Sequence, residues 1–270
     1  MRKRIISGAI FAVIGLAIIL LNNSIVDSVF VTVLALMACF EFYRGFKQKG
    51  VNCIQWIGYA SCLGIMLVDN HIPQEYKYLI YKMAISVGAV SIFAYMVISK
   101  LNRNVKDIAV TVMSIIYIPT LFSFLKRVLM MEDGRILVWY VLLGAFASDT
   151  FAYFIGCKFG KHKLCPTVSP NKSVEGAIGG VFGVVLSYAI LTIIANTYFD
   201  FDMNIVYWIL IAIVSSIVGQ MGDLTESAIK RYIGIKDFGK LMPGHGGILD
   251  RFDSIMFVAP IVYIFIKLYV

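Results

Sequence analysis

Long apolar runs separated by short polar breaks recur from one end of the chain to the other. They fall near residues 5–21, 25–43, 54–68, 77–98, 107–125, 135–156, 175–195, 204–222 and 254–269. A helix that crosses a bilayer needs about 20 predominantly apolar residues, and these runs approach or reach that length. The pattern predicts an all-α polytopic integral membrane protein with about nine transmembrane helices, forming one membrane domain over 1–270. Met1-Arg-Lys-Arg4 leads straight into the first run with no small-residue cleavage pattern after it, so that run reads as a retained span.

Composition agrees with the pattern. The chain is 60% hydrophobic and 15% charged, against about 45–50% and 25% for an ordinary soluble domain. The formal net charge of +8 could suggest nucleic acid, but its distribution points to a membrane instead. Cytoplasmic loops collect Lys and Arg. With the N-terminus inside, the inner segments hold Arg2, Lys3, Arg4, Arg44, Lys47, Lys49, Lys100, Arg103, Lys106, Lys158, Lys161, Lys163, Lys172, Lys230, Arg231, Lys236, Lys240 and Arg251. The outer loops hold only Lys126, Arg127 and Arg135, which are expected to be dispensable for chemistry, and collect Asp69, Glu75, Glu132, Asp133, Asp200 and Asp202. The predicted topology is N-in and C-out, in the plasma membrane. The five cysteines are scattered and include no CxxC pair, so neither a disulfide framework nor a zinc site is indicated.

The two halves differ in character. Residues 1–134 read as plain structural spans joined by short loops. Residues 135–270 carry the polar chemistry, with cytoplasmic loops at 157–174 and 223–253. Asp149 lies inside an apolar span, where an ionisable group is a functional-site hypothesis by default, and Tyr153 follows it by one helical turn. Asp223, Glu226, Ser227 and Lys230 are spaced to share one helical face, and Gly219 and Gly222 keep that helix thin. Pro243-Gly-His245-Gly246-Gly247 forms a turn with exposed amides beside Asp250, Arg251 and Asp253. Amides and cations cradle phosphate oxygens, and carboxylates supply the hard oxygen ligands that Mg²⁺ takes while keeping water and substrate phosphates. Lys172 and Ser173 open the helix that follows Ser169-Pro170-Asn171, with Ser173 placed to cap Gly176. The plain alternatives remain at this point: mutual ion pairing, since 223–253 holds both charge signs, and ordinary helix capping.

Together these motifs resemble a known family. Ser227-Ala-Ile-Lys230-Arg231, then Lys236-Asp237, then Pro243-Gly-His245-Gly246-Gly247-Ile-Leu-Asp250-Arg251-Phe-Asp253 looks like the signature of phosphatidate cytidylyltransferases, also called CDP-diacylglycerol synthases. The resemblance extends to Gln220-x-Gly222-Asp223-Leu-x-Glu226, to Ser148-Asp149-Thr-x-Ala-Tyr153 and to Ser169-Pro170-x-Lys172-Ser173-x-Glu175-Gly176. Asn171 stands where the family often has lysine, and Ser173 where threonine is common.

The resemblance implies transfer of a cytidylyl group from CTP to phosphatidic acid, giving CDP-diacylglycerol and pyrophosphate in phospholipid biosynthesis. It implies Mg²⁺ on Asp223 and Asp250, with room for a second cation. Lys230 and Lys236 join the two aspartates as catalytic residues. Lys172, Ser173, Arg231, Gly246, Gly247 and Arg251 contact substrate, while Asp149, Glu226, Asp253 and His245 play secondary parts. The active site would face the cytoplasm, where CTP is found. The implied partners are CTP, phosphatidic acid and membrane lipids, with a homodimer compatible with the pattern. Two alternatives remain: a CTP-dependent enzyme on another lipid (a polyprenol kinase or an ether-lipid cytidylyltransferase) and a membrane transporter. The clustering of charge at one membrane face and the lack of repeats count against the transporter.

Overall fold

A computed structural model describes residues 2–71, 104–199, 204–239 and 246–269, with scattered positions within 76–98 and Phe201. The described helices are α1 (Arg2–Leu21), α2 (Ser24–Gln48), α3 (Gln55–His71), α4 (Val105–Tyr117), α5 (Pro119–Leu129), α6 (Gly134–Phe159), α7 (Val174–Tyr198), α8 (Ile205–Ile233) and α9 (Leu249–Tyr269). Six helical runs are long and apolar enough to cross a membrane: α2, the α4–α5 pair, α6, α7, α8 and α9. Each coincides with an expected span. The expected spans 5–21 and 54–68 are helical as α1 and α3, whereas span 77–98 and the basic residues Lys100 and Arg103 lie outside the described residues. The structure adds one small non-helical element. Strands β1 (Lys163–Cys165) and β2 (Ser169–Ser173) pair antiparallel within the expected loop 157–174.

Two breaks follow from local chemistry. Pro119 lacks an amide hydrogen and stands at the first turn of α5, so the apolar run 105–129 bends between α4 and α5. Gly234 ends α8 with φ +88°, a backbone conformation that suits glycine. The segment 223–253, expected as a loop, therefore divides. Residues up to Ile233 continue α8, and Leu249 already opens α9.

The bundle has an apolar exterior and a tightly packed interior. Ile178, Phe182, Leu186, Ile190 and Ile193 recur every three or four residues along α7 and are exposed, a face suited to lipid. The opposite face of α7 is built from glycines. A Cβ at Gly179 would come within 2.5 Å of Ile155, and one at Gly183 would overlap the Phe151 ring, so α6 lies directly on the α7 backbone. Tyr140, Tyr188 and Trp208 lock α6, α7 and α8 together, with the Tyr140 and Trp208 rings stacked at 3.6 Å.

At one end of the bundle Arg135 forks onto Asp27, with Nη1 and Nη2 at 3.1 and 2.5 Å from the two carboxylate oxygens, and Nε donates to Asn22 at 2.7 Å. Lys126 lies in the last turn of α5, fully buried, with its ammonium against the Met66 carbonyl. These two residues, expected in outer loops, instead hold helices together, because a buried ammonium or carboxylate must find a partner. Asp27 is 1% exposed and Arg135 is 23% exposed, so the pair is more than a surface contact. Replacing Arg135→Ala leaves a buried carboxylate without its guanidinium and should cost about 3 kcal/mol, the low end for a buried pair because Arg135 is partly exposed. We expect a lower thermal unfolding midpoint in detergent micelles, and an unchanged midpoint would show that the pair contributes nothing.

Candidate active site

The other end of the bundle gathers nearly all the sequence-nominated side chains. The hairpin β1–β2 and the start of α7 form one wall. Ser173 caps α7 as expected, its Oγ accepting from Gly176 N at 3.1 Å. Gly156, Gly160 and Gly176 surround that hydroxyl, and a Cβ at Gly176 would reach within 2.7 Å of the Ala152 carbonyl. The hairpin is anchored on both sides. Glu175 accepts from the Lys161 amide at 3.1 Å and from His162 Nδ1 at 2.7 Å, while Arg231 Nε donates to the Val168 carbonyl at 3.3 Å.

This anchoring carries Lys172 across to α8, where its ammonium pairs with Asp223 Oδ2. Both side chains line a cleft of about 530 Å³, together with Asp149, Tyr153, Ser173 and Gly176. Its volume lies within the range of ligand pockets. Asp149 and Tyr153 share the cleft wall, and among the described residues no hydrogen bond joins them. Gln220 supports the floor by donating to the Ala177 carbonyl and to Ser216 Oγ, each at 3.1 Å.

A second cluster lies deeper. Lys230 Nζ sits 2.9 Å from Asp250 Oδ1 and 3.3 Å from Glu226 Oε1, joining α8 to α9. Glu226 is fully buried and Asp250 nearly so. The second Asp250 oxygen accepts from two backbone amides, Phe238 N at 2.9 Å and Gly247 N at 2.8 Å. Gly246, at φ +90°, makes the reversal that points the Gly247 amide inward. The Gly247 amide, expected to face a substrate anion, holds Asp250 in this structure. Asp253, one turn into α9, accepts from Ser254 N at 2.7 Å.

Lys236, Arg231 and Arg251 are exposed around this end. His245 and Lys240 lie outside the described residues. Two residues that the sequence reading did not select belong to the site. Tyr117, at the end of α4, lies within electrostatic range of Asp223, Glu226, Asp250 and Asp253. Glu41, on α2, accepts from Leu249 N at 3.0 Å. A carboxylate in a mostly apolar span was the available signal for Glu41. No sequence signal distinguished Tyr117 from an ordinary buried aromatic.

The donor chemistry suits a hard cation. Among the described residues no group of three His, Cys, Asp or Glu side chains is gathered as a metal cage. Mg²⁺ needs no such cage, since it commonly takes one or two carboxylates and completes its shell with water and phosphate oxygens. Asp223 fits best. Among the described residues its Oδ1 has only a long 3.4 Å contact from Ser227, and the side chain lines the cleft. Formally, Lys172, Lys230 and Arg251 stand against Asp149, Asp223, Glu226, Asp250 and Asp253, an excess of negative charge that a divalent ion would offset. Glu226 is fully buried, ion-paired to Lys230 and set beside Asp250 and Asp253.

The fold and the site define a polytopic α-helical membrane protein with a phosphate- and cation-suited cleft at one end of its bundle. Comparison with known proteins names the class. The chain belongs to the cytidylyltransferase family, which matches it over residues 2–269. It is 37% identical over 264 residues to a protein from Staphylococcus aureus (strain COL) named phosphatidate cytidylyltransferase, covering 95% of each chain. A protein of the same name from Staphylococcus haemolyticus (strain JCSC1435) is 36% identical over 267 residues, covering 98% of each. A third, from Staphylococcus epidermidis, is 35% identical over 262 residues.

The close approach at the cleft wall is directly testable. Gly176→Ala inserts a methyl against the Ala152 carbonyl and the Ser173 hydroxyl, and such overpacking costs about 1–3 kcal/mol. The variant should unfold at a lower temperature in micelles, and wild-type stability would mean that α6 and α7 separate freely here.

Proposed function

We propose that this protein transfers a cytidylyl group from CTP to phosphatidic acid, releasing pyrophosphate and forming CDP-diacylglycerol. The reading is carried by the convergence of Lys172, Asp223, Lys230 and Asp250 at one end of the bundle. It is supported by near-full-length similarity to proteins named phosphatidate cytidylyltransferase.

The chemistry asks little of a protein nucleophile. A phosphatidate oxygen attacks the α-phosphorus of CTP, and the bond to the β-phosphate oxygen breaks with its electron pair leaving on pyrophosphate. The difficulty is to hold two polyanions together and offset charge on the leaving group. Lys172 is the cation best placed to receive a triphosphate, since it lines the cleft and its partner Asp223 is itself partly exposed. When a phosphate takes Lys172, Asp223 is released to face it. Arg231, Lys236 and Arg251 ring the same end and would attract the approaching anion. Asp250 is held in one orientation by Lys230 and two amides, so it offers its remaining lone pair in a constant place. Asp223 and Asp250 would hold Mg²⁺, which when bound screens phosphate charge and draws electron density toward the leaving pyrophosphate. A second cation is compatible with the excess of carboxylates. Glu226 and Asp253 act through Lys230 and the surrounding charge balance, and Asp149 shapes the cleft wall.

The distribution of basic residues supports nine spans with the N-terminus and this site on the cytoplasmic side of the plasma membrane, where CTP is available. The phospholipid acceptor then reaches the same end from the inner leaflet.

Asp223→Asn and Asp250→Asn should each reduce CDP-diacylglycerol formation from labelled CTP by at least about a hundredfold, while the protein remains folded and membrane-inserted. Near-normal turnover in either variant would remove that residue from the metal site. The acceptor is tested by offering phosphatidate, a polyprenol and an ether-lipid phosphate in parallel, with labelled lipid product, CDP and pyrophosphate all followed with and without Mg²⁺. A kinase on the polyprenol would release CDP, and a cytidylyltransferase pyrophosphate. Product from the others but not from phosphatidate would overturn the proposal. For orientation, a cysteine at exposed Asn171 in a cysteine-free background should react with an impermeant thiol reagent only from the cytoplasmic side.

A further inference from the structure

The first half of the chain reaches into the site through one helix. Glu41 is 5% exposed near the end of α2, and its Oε2 accepts from Leu249 N at 3.0 Å, across 208 residues of sequence. Leu249 is the first residue of α9 and immediate neighbour of Asp250. The Glu41 carboxylate is also gripped by backbone. A Cβ at Gly239 or at Gly247 would overlap it. The next residue, Phe42, stacks on Phe238 with ring centroids 6.0 Å apart, and Gly45 one turn on makes room for the same ring.

These contacts converge on one oxygen. Asp250 Oδ2 is held by the amides of Phe238 and Gly247. One of those residues rests on Phe42, and the other is pressed against the Glu41 carboxylate. A helix cap alone would need only an acceptor for Leu249. It would not need two glycine backbones closed around the acceptor, nor a neighbouring ring under the second amide.

We infer that Glu41 is a positioning residue for the reaction: by holding Leu249 and Gly247 it sets the orientation of the Asp250 carboxylate. This rests on the proposed function, in which Asp250 would help Asp223 hold Mg²⁺. Removing the acceptor leaves a buried amide unsatisfied and lets the 246–249 backbone rotate, which moves Asp250 while leaving Lys172 and the cleft in place. The expected signature is a loss in kcat with little change in KM.

The test uses the full-length protein in micelles, with turnover referred to the folded fraction from size exclusion. Glu41→Gln keeps a carbonyl acceptor and should retain kcat within about threefold. Glu41→Leu should lower kcat about ten- to a hundredfold, with KM for CTP and for phosphatidate within about threefold of the unaltered protein. Equal kcat in Glu41→Leu and the unaltered protein, or a loss confined to KM, overturns the inference. So does a Glu41→Gln variant as impaired as Glu41→Leu. If Glu41→Leu does not fold, Gly247→Ala decides, because its methyl meets the Glu41 carboxylate. Shortening the acid in Glu41→Asp should restore part of the kcat lost by Gly247→Ala, and additive losses in that double-mutant cycle overturn the inference. No product from the unaltered protein overturns the proposed function and this inference with it. Product from both the unaltered protein and Glu41→Leu at equal rates overturns this inference alone.

Discussion

An ammonium set between two buried carboxylates is the contact on which the polar end of this bundle depends. Lys230 lies 2.9 Å from Asp250 and 3.3 Å from Glu226, in surroundings where neither carboxylate has much access to water. Charges removed from water are tolerated only when paired, and leaving one partner alone is strongly unfavourable. The consequence is geometric. Glu226 and Lys230 belong to α8 and Asp250 to α9, so the helices cannot slide or rotate past one another without breaking the pair. The fifteen-residue connector between them, 234–248, is thereby required to return the chain to a fixed point, with Gly234 and Gly246 supplying the positive-φ turns that such a return needs.

The apolar packing explains why the charges can sit there at all. Glycines on α7 bring its backbone onto α6, which narrows the bundle and leaves the hairpin β1–β2 close enough for Lys172 to reach α8. A larger residue at Gly179 or Gly183 would widen that gap. In a lipid environment helix association gains little from burying apolar surface, so close contact and a few polar links have to supply it. The Gln220 bond to the Ala177 carbonyl and the Ser148–Ser216 pair at 3.0 Å are such links between α6, α7 and α8.

Much of this was legible in the chain because two periodicities and one motif carry it. Apolar length located α2, the α4–α5 run and α6 through α9, since a membrane span leaves little choice but a helix. The i, i+3, i+7 spacing put Asp223, Glu226 and Lys230 on one face, and the helix does run through them to Ile233. What could not be read was pairing between distant segments. Nothing local says that Lys172 meets Asp223 or that Glu41 caps Leu249, because such contacts are set by how helices pack and not by spacing along the chain. The same reason explains Lys126 and Arg135. Counting charges placed them in loops, but a long side chain at a helix end can turn inward when a carbonyl or carboxylate waits there.

The two lysine–carboxylate pairs differ in a way that suits different duties. Lys172 and Asp223 are 27% and 23% exposed, so solvent screens their attraction and the pair contributes little to stability. Such a pair can exchange partners when a phosphate arrives, since the ammonium trades one anion for a more highly charged one and the freed carboxylate remains solvated. Lys230 and Asp250 are 12% and 2% exposed, and separating them would strand a carboxylate away from water. A site that must admit a polyanion and still keep a constant reference point needs one contact of each kind. In this fold the exchangeable pair lines the cleft, and the fixed pair lies behind it, where α2, α8 and α9 meet.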